Sequence, residues 1–159
     1  MITTYTTYND IRAALGVSLD DIKDSVLSLD VYSDSLTQEF EEISLDLETT
    51  YTTKSALPTP TAAETRFITA CNLFATYCVA KQLTAAMPLF AAKQLSDGKA
   101  QVSRFDNPYK DVVAQVLAQY EKARSRLLAA FEAITTTTAV SQSKSYFAVI
   151  SPSTDPVIE

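Results

Sequence analysis

The sequence has 159 residues, a formal net charge of −6, no histidine, two glycines, six prolines and 47% hydrophobic residues. That is enough chain for one core and too little to make two ordinary domains the expectation, and so few turn residues argue for long regular helices against an all-β fold. The acidic balance disfavours nucleic-acid binding as the main business, and without histidine a Ser- or Cys-based hydrolase would need an unusual base.

Residues 2–8 are rich in Thr and Tyr and read as a short strand or an extended arm. Thr7 and Asp10 stand at capping-box spacing, with Asp where Glu or Gln is usual, and Gly16 offers a left-handed stop, so residues 8–15 form a first helix. Ser18 ahead of Asp20 and Asp21, with Ile22, Val26 and Leu29 recurring on one face, predicts a second short helix. From Asp30 onward Leu36, Phe40, Ile43 and Leu47 keep an i, i+4, i+7, i+11 rhythm while Glu39, Glu41, Glu42 and Asp46 take the other side, an amphipathic and acidic third helix. Residues 49–61, with Pro58 and Pro60 among Thr and Ser, break the pattern and form the main internal linker.

Thr61 and Glu64 then make a capping box for a helix that is apolar nearly all round. Phe67, Cys71, Phe74 and Cys78 line one side and Ile68, Ala75, Val79 and Leu83 an adjacent one, which places this helix at the centre of the fold until Pro88 kinks or ends it. Between residues 91 and 105 the Asp97-Gly98 pair is a two-residue hairpin signal and predicts a projecting hairpin. Asn107 caps and Pro108 starts the last long helix, with Val113, Val116, Leu117, Tyr120, Leu127, Leu128, Phe131 and Ile134 as its buried stripe, and four β-branched threonines at 135–138 end it. A Ser/Thr-rich spacer follows, then the apolar, strand-like Tyr146-Phe147-Ala148-Val149-Ile150, with Pro152 and Pro156 beyond. About 25 extended residues reach roughly 80 Å, enough to cross a neighbouring subunit and add a strand there. The expected fold is mainly all-α: a bundle of about four to five helices with a short hairpin-like projecting loop over residues 1–134, and an extended C-terminal arm containing a short strand over 135–159.

Charge is unevenly placed. Residues 1–53 hold eleven acids against Arg12 and Lys23, a net −9; residues 54–144 hold eleven basic side chains against six acids, a net +5; Asp155 and Glu159 lie in the last fifteen. One pole is acidic and one basic, and unlike patches on one molecule permit head-to-tail pairing between copies, against the plainer reading of two solvated helix faces. Cys71 and Cys78 lie about 10.5 Å apart along one helix, beyond the roughly 7 Å limit for a disulfide, and read as buried reduced thiols. No charged-then-apolar leader opens the sequence, and the longest weakly polar run, residues 67–80, is too short for a membrane span and stops at Lys81.

No complete catalytic or metal-binding constellation is legible. Asp20/Asp21 and Glu41/Glu42 are helix neighbours that point apart, and two glycines cannot write a phosphate-cradling loop, so no cofactor, metal or nucleotide site is expected. Lys122, Arg124 and Arg126, with Lys110 and Arg104 before them, read as a protein contact, since the acidic first third is an obvious partner surface.

The order of residues 67–126, a wide apolar helix, the Ser96-Asp97-Gly98-Lys99 turn, and Asn107-Pro108-Tyr109-Lys110-Asp111 opening a second helix, together with the Asp10-Ile11-Arg12-Ala13-Ala14-Leu15-Gly16-Val17-Ser18 opening, resembles the head–tail connector (adaptor) proteins of tailed bacteriophages over roughly residues 5–134. That resemblance implies a four-helix core with a projecting loop and a C-terminal arm. It further implies a structural virion protein, not an enzyme, assembled in the host cytoplasm into a homo-oligomeric ring, commonly dodecameric, at the phage neck. Such a ring docks under the portal protein, extends the DNA channel with DNA only as passing cargo, touches no membrane, and offers a platform to a tail or nozzle/neck protein. At segment level the resemblance makes Ser96, Asp97, Gly98, Lys99, Arg104 and Phe105 in the excursion, and Tyr146, Phe147, Val149 and Ile150 in the arm, the candidates for contacts with other subunits. Two other classes stay open: a peptidoglycan-degrading tail-associated enzyme, and a monomeric helical protein-binding module.

Overall fold

The computed structural model of the chain describes residues 2–85, 94–96, 101–103 and 110–143. Within them the protein is mainly helical, with α1 (Tyr8–Leu15), α2 (Asp24–Leu27), α3 (Asp30–Ile43), α4 (Leu47–Ser55), α5 (Ala62–Thr84) and α6 (Lys110–Ser143). Two short strands, β1 (Gln94–Ser96) and β2 (Gln101–Ser103), pair antiparallel between α5 and α6, Gln94 opposite Ser103 and Ser96 opposite Gln101.

Several helix ends obey the local chemistry of the sequence. The Thr7 hydroxyl accepts the Asp10 amide, and Gly16 closes α1 in the left-handed region at φ 69°, a conformation that a Cβ would oppose. At Thr61 the full capping box forms, its side chain accepting the Glu64 amide while the Glu64 carboxylate accepts the Thr61 amide at 2.8 Å. Central α5 then buries Phe67, Cys71, Phe74, Ala75, Cys78, Val79 and Leu83, as its all-round apolarity requires. It ends at Thr84, ahead of Pro88, which lies outside the described residues, as do Asn107 and Pro108.

Elsewhere tertiary contacts overrule the sequence pattern. Residues 2–4 form neither a strand nor an extended arm: Ile2–Thr4 is a turn of 3-10 helix, with Ile2 buried and the Tyr5 and Thr6 amides both bonded to the Ile2 carbonyl. Asp20 and Asp21 do not open a helix, because the Asp21 carboxylate accepts both the amide and the hydroxyl of Ser18 (2.8 and 2.7 Å) and closes a turn there; the second helix begins only at Asp24. The third helix stops at Ile43, short of Leu47. That leucine starts α4, which occupies half of the expected 49–61 linker and brings the described helices to six instead of four or five. Leu47 and Tyr51, four apart, are both buried, while Thr52 and Thr53 turn their hydroxyls back onto the Glu48 and Thr49 carbonyls (3.0 and 2.8 Å), so threonines that suggest a linker are accommodated on a helix. The same device explains the last correction. Thr135 bonds back to the Phe131 carbonyl at 3.0 Å, and α6 passes through the four threonines to Ser143 instead of ending at them. The expected strand at 146–150 lies outside the described residues.

Helices α5 and α6 run antiparallel, for Phe67 meets Phe131 (ring centroids 5.9 Å) and Phe74 meets Tyr120 (5.5 Å). One side of this pair is roofed by the N-terminal turn, α3 and α4 through a continuous row of rings, Tyr51, Tyr5, Phe40, Phe74 and Tyr120, each 4.7 to 5.6 Å from the next. The other end is closed by α1 and α2, whose Ile11, Leu15 and Leu27 pack with Val79, Ala80 and Leu83 of α5 and Val116 of α6. Among the described side chains of α6 the buried ones are Val116, Tyr120, Ala123, Leu127 and Ile134. Leu117 and Leu128, expected inside, stand 43% and 41% exposed, one residue and hence about 100° round from the true stripe.

Candidate functional site

Of the residues that the resemblance points to, only Ser96 falls among the described residues, at the end of β1; Asp97, Gly98, Lys99, Arg104, Phe105, Tyr146, Phe147, Val149 and Ile150 lie outside them. The described bundle instead presents a groove that none of those positions predicted.

The groove lies between the N-terminal half of α5 and the C-terminal half of α6, a hollow of about 520 Å³. Its floor is built from small apolar groups, Ala70 of α5 and Ala129, Ala130 and Ala133 of α6, with Leu73, 39% exposed, on one wall. Helix geometry explains why it is bare. Arg66, Thr69, Leu73, Thr76, Ala80 and Leu83 follow one face of α5 at i, i+3, i+4 steps. Over Thr76, Ala80 and Leu83 that face is covered, the Thr6 hydroxyl sitting 2.6 Å from that of Thr76 and α1 packing on the rest. Over Arg66, Thr69 and Leu73 it is left uncovered by the described residues, since α1 packs from Thr76 towards Leu83 and not over the first turns of α5.

Arg66 of α5 and Arg126 of α6 line the groove from opposite helices and are its only charged lining groups among the described residues. Among the described residues neither joins an ion pair; those that form are Arg12–Asp24, Lys54–Glu64 and Lys81–Glu39. Lys122, exposed and one turn before Arg126, lies on the same stripe of α6 and adds a third cation. Arg126 and Lys122 belong to the basic run visible in the sequence, whereas Arg66 and the alanine floor were missed. Their signal was the spacing of Arg66, Thr69 and Leu73, a polar-edged face on an otherwise largely apolar helix.

Opposite charge collects on α3. Glu41 and Glu42 are exposed at its C-terminal end without ion pairs among the described residues, and Leu45, in the turn just beyond, is 82% exposed. Glu39, one turn back, points inward instead: its carboxylate takes Lys81 at 2.9 Å and the Tyr120 hydroxyl, and the Lys81 ammonium sits 3.9 Å above the Tyr120 ring. Three helices are thereby joined. Burial opposes the charge on Glu39, yet the Tyr120 and Lys81 hydrogen bonds outweigh it and hold the carboxyl below its ordinary 4.5. Burial likewise opposes the charge on Lys81, and its bond to Glu39 outweighs this and holds it above 10.5. A depressed Glu39 stabilises the fold above about pH 4.5 and loses that contribution as pH falls, while the raised Lys81 contributes below about pH 10.5 and loses it as pH rises. The melting-temperature advantage of the natural protein over Glu39→Gln is therefore expected to be flat near neutrality and to shrink as pH drops below about 4.5; a difference constant from pH 7 to 3 would show that the triad does not carry it.

No family model, curated protein or solved structure matches this chain. What the site does must therefore be argued from its own chemistry. Among the described residues no three Cys, Asp or Glu come together as a metal site, and no helix is long and apolar enough to cross a membrane. Cys71 and Cys78 are both buried and unbridged, and burial pushes each thiol up to about 12, far from the range of a nucleophile. An apolar floor with cations on its rim is suited to holding an apolar side chain flanked by carboxylates.

Proposed function

We propose that this chain is a structural adaptor of the bacteriophage neck: a subunit that joins copies of itself in a ring beneath the portal protein, continues the DNA channel, and presents a platform to a tail or nozzle/neck protein. It acts by surface complementarity and not as a catalyst, and its place is the head–tail junction of a virion assembled in the host cytoplasm. The observation that carries this reading is the pair of unlike surfaces on one helical body, an acidic α3 end and a cation-rimmed apolar groove, since a heterologous contact of that kind closes rings when the rotation permits. The resemblance of residues 67–126 and of the 10–18 opening to phage adaptors points the same way.

The test is the mass of the purified protein by light scattering, alone and mixed with portal rings, at low and high salt. A chain that joins portal rings in a fixed multiple, and less tightly at high salt, is the expected result. A chain that ignores portal rings under every condition overturns it, and clearing of peptidoglycan in a zymogram would replace it with an enzymatic role.

A further inference from the structure

We infer that the α5/α6 groove is occupied by the α3–α4 corner of a second copy of this chain, Leu45 entering the groove between Arg66 and Arg126 while Glu41 and Glu42 meet the two arginines. This contact rests on the self-assembling reading above and names its two surfaces.

Three observations select this occupant. Leu45 is the most exposed large hydrophobic side chain among the described residues, at 82%, and a leucine so placed gains by leaving water. It is bracketed by Glu41, Glu42 and Asp46, all exposed, and these complement the charge of Arg66 and Arg126 in the groove lining and of Lys122 one turn before Arg126. Arginine suits the role because its planar fork meets a carboxylate with two parallel hydrogen bonds.

The third observation is geometric. The chain cannot close this contact on itself, because α4, which follows Leu45 directly, is fastened to another side of α5. Lys54 of α4 pairs with Glu64 of α5 at 2.7 Å, and Glu64 lies about 160° round the helix from Arg66. The Tyr51 hydroxyl donates to the Thr4 carbonyl at 3.1 Å and accepts from the Asn72 amide at 2.9 Å, which holds α4 there a second time. Corner and groove thus sit on different sides of one body. Their union between copies is head-to-tail, with each subunit giving one surface and receiving the other.

The test uses two full-length variants that each add one cysteine, Leu45→Cys and Ala129→Cys, each treated with a short bis-maleimide, alone and as an equal mixture. Cys71 and Cys78 are buried and leave little background, which the unsubstituted protein reports. Helical circular dichroism and melting confirm that each variant folds. Linked dimers in the mixture and in neither variant alone are the expected result. Dimers from Leu45→Cys alone would mean a two-fold contact, and no dimers in any sample would mean no contact here; either overturns the inference.

Charge reversal provides the second arm. Arg66→Glu with Arg126→Glu, or Glu41→Arg with Glu42→Arg, is expected to weaken self-association at least tenfold, and mixing the two reversed proteins to restore it. Association unchanged by both reversals would overturn the contact. Failure here is separable from failure of the connector reading. Cross-links in a chain that ignores portal rings leave this contact standing and remove the connector; a chain that loads onto portal rings without them does the opposite.

Discussion

Phe74→Ala is expected to cost about 3–5 kcal/mol, the largest loss for any single truncation in this core. Phe74 is fully buried on central α5 and stands in the ring row between Phe40 of α3 (5.6 Å) and Tyr120 of α6 (5.5 Å), so its removal parts the row that joins the roof to the α5/α6 pair. The surrounding rings belong to different helices already tied by Lys81, Glu39 and Tyr120, which limits how far they can collapse into the space. Set against the roughly 5–15 kcal/mol typical of whole domains, such a loss is expected to lower the melting temperature by roughly 10 °C or more. Phe74→Leu, which keeps most of the volume, is expected to lose less than half as much. Urea titrations at constant slope decide the matter; an alanine variant within 1 kcal/mol of the natural protein would mean that the row is not where the stability resides.

Arg12→Ala is expected to cost about 2–3 kcal/mol and to loosen one corner in particular. Arg12 is charged yet only 5% exposed. Its Nε donates to the Ile22 carbonyl at 2.8 Å, one terminal nitrogen to Asn9 at 3.0 Å, and the other pairs with Asp24. The ion pair contributes little, because Asp24 is well exposed. The larger effect is on the Ile22 carbonyl, which loses its donor, and on the packing of the arginine stem, so residues 17–27 lose their anchor to α1. Amide exchange should rise across that segment before it rises in α5. Arg12→Lys is expected to recover little, since a single ammonium nitrogen cannot reach the three separate acceptors that three guanidinium nitrogens serve. An unchanged exchange pattern in either variant would assign the segment's order to Leu27 and Ile22 burial alone.

Legibility tracked how local the controlling physics is. The Thr61–Glu64 box, the Gly16 stop and the burial of Phe67, Cys71, Phe74 and Cys78 were readable, because a cap or an all-round apolar helix involves residues within a few positions of each other. The 49–61 segment was not. Its helix exists because Leu47 and Tyr51 find the N-terminal turn and α5, partners distant in sequence, while isolated threonines favour other conformations. The α6 stripe was misplaced by one position at Leu117 and Leu128, since Ala123, a small residue that lets helices approach closely, carries no hydrophobic signal as strong as a leucine's.

By itself, then, the sequence determined a helical class, the end of α1, the start and central position of α5, and the separation of acidic from basic residues, all of which follow from composition, capping and period. Only the tertiary structure decided that the Arg66, Thr69 and Leu73 face of α5 is left uncovered by the described residues, that Arg66 and Arg126 line it from opposite helices over alanines, and that Glu39 turns inward while Glu41 and Glu42 remain outside. A surface is a relation between residues far apart in the chain, and which of two adjacent glutamates meets a lysine depends on a rotation of one helix against another that packing alone selects.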